Sequence, residues 1–176
     1  MSGSVIIKIE RVHMTVDPRS FRKALGCFAT GVTVVTSVNP GDSGPVGVTV
    51  SAFSSLSLEP PLVLFCLGNK TSSLGIYKQN GRFVINVLAE TQRDLSIRFA
   101  SRSDDKWAGV VSEPGLGGVP VLSGCIANLE CVLVNTIDGG DHVIFIGRVE
   151  NIHYQEGGAP LLYFRGGYMD CGVGAL

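Results

Sequence analysis

Apolar residues recur along this chain with two different spacings, and each change of spacing marks an element. Phe21, Leu25 and Phe28 stand four and then three positions apart, the stripe of a helix. Asp17 suits its N-cap, Pro18 its first turn, and Gly31 is the predicted stop. The β-branched run VTVVTSV (Val32 to Val38) then predicts a strand. NPGDSGP (Asn39 to Pro45) is a turn cluster, so the segment from Gly47 is the expected hairpin partner. Pro60 and Pro61 break the chain before LVLFCL (Leu62 to Leu67), and RFVINVL (Arg82 to Leu88) reads as a further strand. Between these two, GNKTSS (Gly68 to Ser73) precedes LGIYK, where Thr71 or Ser72 is the expected cap of a short helix. TQRDLSIRFAS (Thr91 to Ser101) predicts a helix, with Thr91 and Asp94 spaced much like a capping box. A polar stretch rich in Gly and Pro covers 102–120. Strands are expected near Ile126 to Thr136, from His142 to Tyr154 across the turn DGGD, and from Leu161 to Phe164 before a Gly-rich tail. Residues 1–15 read as a leader or an added edge strand, and 16–176 as one domain. Many hairpin-linked strands and few helices predict a mainly β fold, a closed or nearly closed barrel.

Within this pattern, GVTVSAFSSLS (Gly47 to Ser57) is unusual. Thr49, Ser51, Ser54, Ser55 and Ser57 carry hydroxyls, and no charged residue occurs between Gly44 and Leu58. If 47–53 is one strand, Val48, Val50 and Ala52 face the interior and Thr49, Ser51 and Phe53 the other side. One hydroxyl on a strand is ordinarily an exposed residue with local backbone bonds. Five in an uncharged segment instead suit a ligand rich in hydroxyls and phosphate oxygens, because small hydroxyls allow close approach and both donate and accept. GNKTSS adds backbone N–H groups at a helix start and the cation of Lys70, a pattern that suits a phosphate; taken alone, Lys70 reads first as a solvated loop residue.

Composition narrows the partners. The chain has 176 residues, 45% hydrophobic and 16% charged, with a formal net charge of −1. Nothing in that balance suggests nucleic acid or an anionic membrane. No apolar run reaches a membrane span, and the N-terminus lacks a secretory signal, so a cytoplasmic protein is expected. Five dispersed cysteines without a CxxC read as reduced thiols acting as small hydrophobes. His13, His142 and His153 have no ligand spacing to a cysteine, which argues against a metal site.

Six segments occur in a telling order: FATGVTVVTS (from Phe28), GVTVSAFSSLSLEPPLVLFCL (from Gly47), NKTS (from Asn69), FVINVLAETQRDLSIRFAS (from Phe83), GDH (Gly140 to His142) and PLLYFRGGY (from Pro160). Together they resemble the short-chain flavin reductase family, which has an FMN-binding split barrel, a Greek-key antiparallel fold. The resemblance covers about residues 17–170. It implies a homodimer that uses NADH or NADPH to reduce FMN or FAD and supplies a partner oxygenase. It places Val48, Thr49, Val50 and Ser51 beside the flavin ring and ribityl chain, and Thr30 at the ring edge. Ser54, Ser55, Asn69, Lys70 and Ser72 fall near the ribityl and phosphate groups, with Leu67 and Gly68 leading into that loop. Phe99 is implied near the outer flavin, and a helix-core reading stands beside it.

His142 opens a strand after a tight turn, where a lone histidine is commonly solvent-facing. The resemblance places it over the flavin face where nicotinamide docks, and Tyr168 would close the same pocket or lie on the surface. The implied hydride transfer needs positioning rather than a nucleophile–base pair. No GxGxxG follows a strand, so nicotinamide has no Rossmann domain here. No basic cluster obviously awaits a 2′-phosphate, which favours NADH. A pyridoxamine phosphate oxidase-like enzyme, a non-enzymatic flavin or haem binder of the same barrel, and a ligand-free barrel remain as alternatives.

Overall fold

The computed structural model describes residues 16–41, 44–103 and 105–171, so the expected leader and His13 lie outside the described residues. Helix α1 (Pro18–Leu25) begins as predicted: the Asp17 carboxylate accepts the Ser20 N–H at 2.8 Å. It ends five residues before the predicted stop. Gly26 closes it because its carbonyl accepts the Arg165 N–H at 2.8 Å, and a Cβ there would lie 3.4 Å from the Arg165 Cα. The predicted apolar stripe is not buried: Phe21 and Leu25 are exposed, and Phe28, outside the helix, is 77% exposed.

The strands are β1 (Thr30–Gly31), β2 (Thr33–Val38), β3 (Pro45–Val50), β4 (Phe53–Ser57), β5 (Leu62–Gly68) and β6 (Arg82–Val87). Three-residue strands β7 (Ser112–Pro114) and β8 (Pro120–Leu122) follow, then the long hairpin of β9 (Ala127–Gly139) and β10 (His142–Tyr154), then β11 (Leu162–Phe164) and β12 (Gly167–Met169). Seven of them form one antiparallel sheet in the order β3-β2-β6-β9-β10-β5-β4. β1, β11 and β12 form a small second sheet, and β7 pairs with β8.

The closure of the large sheet follows from one short connection. β3 and β4 are its two outer strands, yet only Ser51 and Ala52 join them. Such a link spans at most about 11 Å, so the two edges must curl toward each other. The Ala52 carbonyl accepts the Cys66 N–H at 3.0 Å, fixing the seam. The predicted single strand over 47–53 is therefore two strands broken at Ser51, and Ala52 is exposed rather than interior. The sheet is a nearly closed barrel, split between β3 and β4, in keeping with the expected fold class.

Inside it, Phe65 stacks on Phe145 at 4.9 Å and meets Phe83 edge-on at 4.9 Å, with Val35, Val50, Leu67 and Ile85 around them. A second cluster lies outside β2 and β6, where Val34, Leu88, Phe99 and Leu122 pack beneath α3 (Arg93–Ala100) and the β7–β8 hairpin. That cover buries β2 and β6 on both faces: Thr33 to Ser37 and Phe83 to Asn86 are all buried, and the polar side chains among them are hydrogen-bonded. The helix α2 (Leu74–Asn80) begins after Ser73, whose side chain makes no capping bond; neither Thr71 nor Ser72 caps it. Before α3, the Gln92 side chain accepts the Ala89 N–H at 3.0 Å, so the reciprocal bond lies two positions upstream of the predicted Thr91–Asp94 pair.

Candidate functional site

Strand register gathers several of the predicted residues at one rim. Ser51 sits in the β3–β4 link, and two residues further the Phe53–Phe65 pair continues the seam. β5 then ends at Gly68, directly opposite His142 at the start of β10. The turn before His142 is fastened to the loop after Gly68 by two bonds. Asn69 donates its N–H to the Asp141 carbonyl at 2.9 Å and its side-chain amide to the Gly140 carbonyl at 3.1 Å. Gly140 has φ +77°, the left-handed conformation this two-residue turn needs. Asn69, Lys70, Ser51, Ser54 and Ser55 are all exposed beside this junction or along β4. β4 is a terminal strand of the sheet, so one edge of its backbone has no strand partner among the described residues.

The His142 ring is fixed at one nitrogen. Nδ1 lies 2.7 Å from the Asp141 carboxylate, leaving Nε2 on the rim, 3.8 Å from where a Cβ on Gly68 would stand. The hydrogen bond from His142, then its charge, hold the Asp141 carboxyl below its usual value, and Lys70 adds to the same effect. With Nδ1–H given to Asp141, Nε2 accepts a hydrogen bond when the ring is neutral and donates one when it carries both protons. Asp141 was not singled out from the sequence, although its place just before the histidine in GDH is the signal that would have found it.

Other predicted contacts are spent elsewhere. Thr49 is on the outer face of β3, as predicted, but that face seats α3: the Thr49 hydroxyl donates to the Ser96 carbonyl at 2.6 Å. Phe99 is 0% exposed, packed on Gly47 and edge-on to Trp107 at 5.1 Å, so it belongs to the helix core and presents no face to a ligand. A Cβ on Gly47 would fall 2.5 Å from that ring, which explains the glycine. The side chains of Val50 and Leu67 lie in the barrel core and Val48 packs against it, leaving those positions only backbone for a ligand. Tyr168 shares a 2.8 Å hydrogen bond with the Ser96 hydroxyl, packs on Tyr163 and lies under the Arg93 guanidinium. Thr30 pairs with Tyr163 in the small sheet, so Thr30 and Tyr168 are neighbours of one hairpin rather than of His142. Ser72 is exposed. His153, left without a role in the sequence, sits 3.3 Å from the buried Glu130 carboxylate, which also accepts the Leu116 N–H.

The cysteines are free, as expected; burial pushes the thiols of Cys125 to about 11 and Cys131 to about 12, far from reactive thiolates. No group of three or more potential metal ligands occurs among the described residues.

Comparison with known proteins bears on the same features. A family model described as flavin reductase like domain matches residues 25–172. The chain is 44% identical over 155 residues to the flavin-dependent monooxygenase reductase subunit HsaB of Mycobacterium tuberculosis, spanning 87% of this chain and 82% of that protein. The crystal structure of a nitrilotriacetate monooxygenase component B homologue from Mycobacterium thermoresistibile matches with a TM-score of 0.83 and 38% identity, over 90% of each chain. The Streptomyces globisporus C-1027 NADH:FAD oxidoreductase SgcE6, solved with NAD and FAD fragments, matches with a TM-score of 0.81 and 35% identity, over 88% of this chain and 94% of that one.

Proposed function

We propose a function on the premise that the chain belongs to the flavin reductase-like family, which the match over residues 25–172 shows: it is an NAD(P)H-dependent flavin reductase that supplies reduced flavin to a partner oxygenase. The observation that carries the placement of its site is the Gly68–His142 pair, with Asn69 fastened to the turn beside it. That junction puts an imidazole beside the loop of Asn69 and the exposed Lys70, at the end of β5 nearer the Ser51–Ala52 link. Ser54 and Ser55 continue along β4 opposite Leu64 and Val63. Hydroxyls, amide and ammonium are the donor set a flavin's hydroxyls and phosphate require.

Flavin fits these residues. Ser51, Ser54 and Ser55 offer hydroxyls along an open strand edge, and Lys70 with Asn69 and Ser72 offers donors for a phosphate. The chemistry such a bound flavin supplies is acceptance of hydride from the nicotinamide. The protein's part is positional. Asp141 fixes the His142 ring at Nδ1, and the free Nε2 would hydrogen-bond the nicotinamide's carboxamide or a pyrophosphate oxygen. The flavin is FMN or FAD and the donor NADH or NADPH; steady-state reduction with both flavins and both nicotinamides tests the assignment directly. Flavin-independent or absent NAD(P)H oxidation would overturn it.

Replacing Ser54 and Ser55 together with Ala is expected to weaken flavin binding by roughly 1–3 kcal/mol, the usual cost of lost polar contacts. Fluorescence titration measures this, and an unchanged dissociation constant would remove the serine ledge from the site.

We further propose a homodimer. Phe21, Leu25 and Phe28 are exposed around α1, and Val134 and Ile137 are exposed on the half of β9 that extends past β6. Light scattering at micromolar concentration is expected to give twice the chain mass; a fully active monomer would refute it. No described helix is long and apolar enough to cross a membrane, and a cytoplasmic location with reduced cysteines fits this reading.

A further inference from the structure

Four cations from two distant parts of the chain meet at one cavity. Arg19, Arg22 and Lys23 of α1 and Arg165 of the β11–β12 turn line it, with Gly26, Cys27 and Gly166. Its volume of about 620 Å³ is that of a small-molecule site. Among the described residues no carboxylate lines it and none of the four cations forms an ion pair. Arg22 and Lys23 lie in the last turn of α1, where cations complement the helix dipole. That accounts for two of them only. Arg19 is a turn earlier. Arg165 comes from another element, and among the described residues it alone has a positive φ without being glycine, at 48°. Its backbone is held there by the bond to the Gly26 carbonyl, so the turn and the helix end are built as one unit.

We propose that this cavity binds a phosphate group of the nucleotide substrates. The inference rests on the flavin reductase reading, which supplies phosphate-bearing ligands, and on the cavity's place. Thr30, at the proposed ring edge, pairs with Tyr163, and Arg165 is two residues further along the hairpin, at most about 7 Å of extended chain. Arginines suit the site because a guanidinium forks onto phosphate oxygens. The ligand is a nicotinamide dinucleotide, through its pyrophosphate or 2′-phosphate, or FAD through its pyrophosphate; the single phosphate of FMN is the one assigned above to the Lys70 loop.

Cys27 is exposed and lines the cavity, which gives a readout independent of turnover. Alkylation of Cys27 by iodoacetamide, followed by peptide mass mapping, is measured with NADP⁺, NAD⁺, FMN or FAD present. Slower labelling is expected with at least one of them. Protection by NADP⁺ without NAD⁺ places the 2′-phosphate there, by both places the dinucleotide's pyrophosphate, and by FAD without FMN places the pyrophosphate of FAD; protection by FMN would move the flavin phosphate from the Lys70 loop to this cavity. Arg22→Gln with Arg165→Gln is expected to weaken the protecting nucleotide about 10- to 150-fold. Arg19→Gln, on the exposed start of α1, should act in the same direction. No protection by any of the four nucleotides, in protein that reduces flavin normally, overturns the proposal and leaves the functional reading standing. Protection in a protein that fails to oxidise NAD(P)H with flavin supports the cavity and sinks the functional reading.

Discussion

His142→Ala is expected to lower kcat/KM for the nicotinamide substrate about 5- to 150-fold, the equivalent of one hydrogen bond worth ~1–3 kcal/mol in the transition state. The ring has one free nitrogen, because Nδ1 is engaged by Asp141 at 2.7 Å. A substitution at Asp141 therefore acts through the histidine: Asp141→Asn should give a smaller loss and change the pH profile of kcat/KM. The flavin dissociation constant is the second measurement. Sequence reasoning separates His142 from the flavin contacts by placing them on other strands. The register brings it directly opposite Gly68, at the start of the proposed phosphate loop. A flavin affinity that changes by less than about fivefold would keep the imidazole on the nicotinamide side. A large loss of flavin affinity with intact nicotinamide kinetics would reverse the roles, and no change in either would leave an exposed histidine that only begins a strand.

What the sequence shows of this fold depends on how local the determining physics is. Strands β2, β5, β6 and β10 lie within a residue or two of their predicted spans, because β-branched runs end at Pro, Gly or Asn turns. The break at Ser51 is not legible: alternation continues through it, and only the placing of β3 and β4 on opposite edges reveals that the chain crosses a seam. The α1 stripe is correctly periodic yet unburied, since periodicity reports amphipathicity and not what covers the apolar face.

The site divides in the same way. Gly68, Asn69, Lys70 and His142 are flagged by short local motifs, and the register joins them. Thr49 fits the same motifs but faces α3, and Phe99 is on that helix and packs on Gly47; a sequence does not show that a helix will lie over that face of β3. The cationic cavity escapes because Arg165 is 139 positions beyond Gly26, and the two meet only through a single backbone bond. The expectation that no basic cluster obviously awaits a 2′-phosphate comes from the sequence, where Arg19, Arg22 and Lys23 stand apart from Arg165; the fold lines one cavity with all four.

Asn86→Ala is expected to destabilise the protein by roughly 3–5 kcal/mol, the largest stability effect predicted from this structure. Asn86, in the strand RFVINVL, is 0% exposed and ties four segments together. Its amide nitrogen donates to the Val34 carbonyl at 2.9 Å and to the Thr36 hydroxyl at 3.1 Å, both on β2. Its oxygen accepts the Leu122 N–H of β8 at 2.9 Å and the Asn128 side-chain amide of β9 at 2.8 Å. Alanine strands the buried Leu122 N–H at about 1–3 kcal/mol, removes one of the two bonds of the Asn128 amide, which keeps the Leu122 carbonyl, and opens a gap beneath the β7–β8 hairpin. Since a domain of this kind is stable by only about 5–15 kcal/mol, the loss is a large part of the whole. Urea unfolding of the variant against the wild type measures it through the shift in midpoint at constant slope. Asn86→Asp is the sharper control: it keeps the acceptor for Leu122 and Asn128 but loses both donated bonds and puts a carboxylate in a buried site. It should be at least as destabilised at neutral pH and should recover part of the loss as the pH falls, because protonation removes the buried charge. A cost below about 1 kcal/mol for Asn86→Ala would mean that water or a shifted β8 satisfies the stranded donor, and that the outer layer is held by its apolar contacts alone.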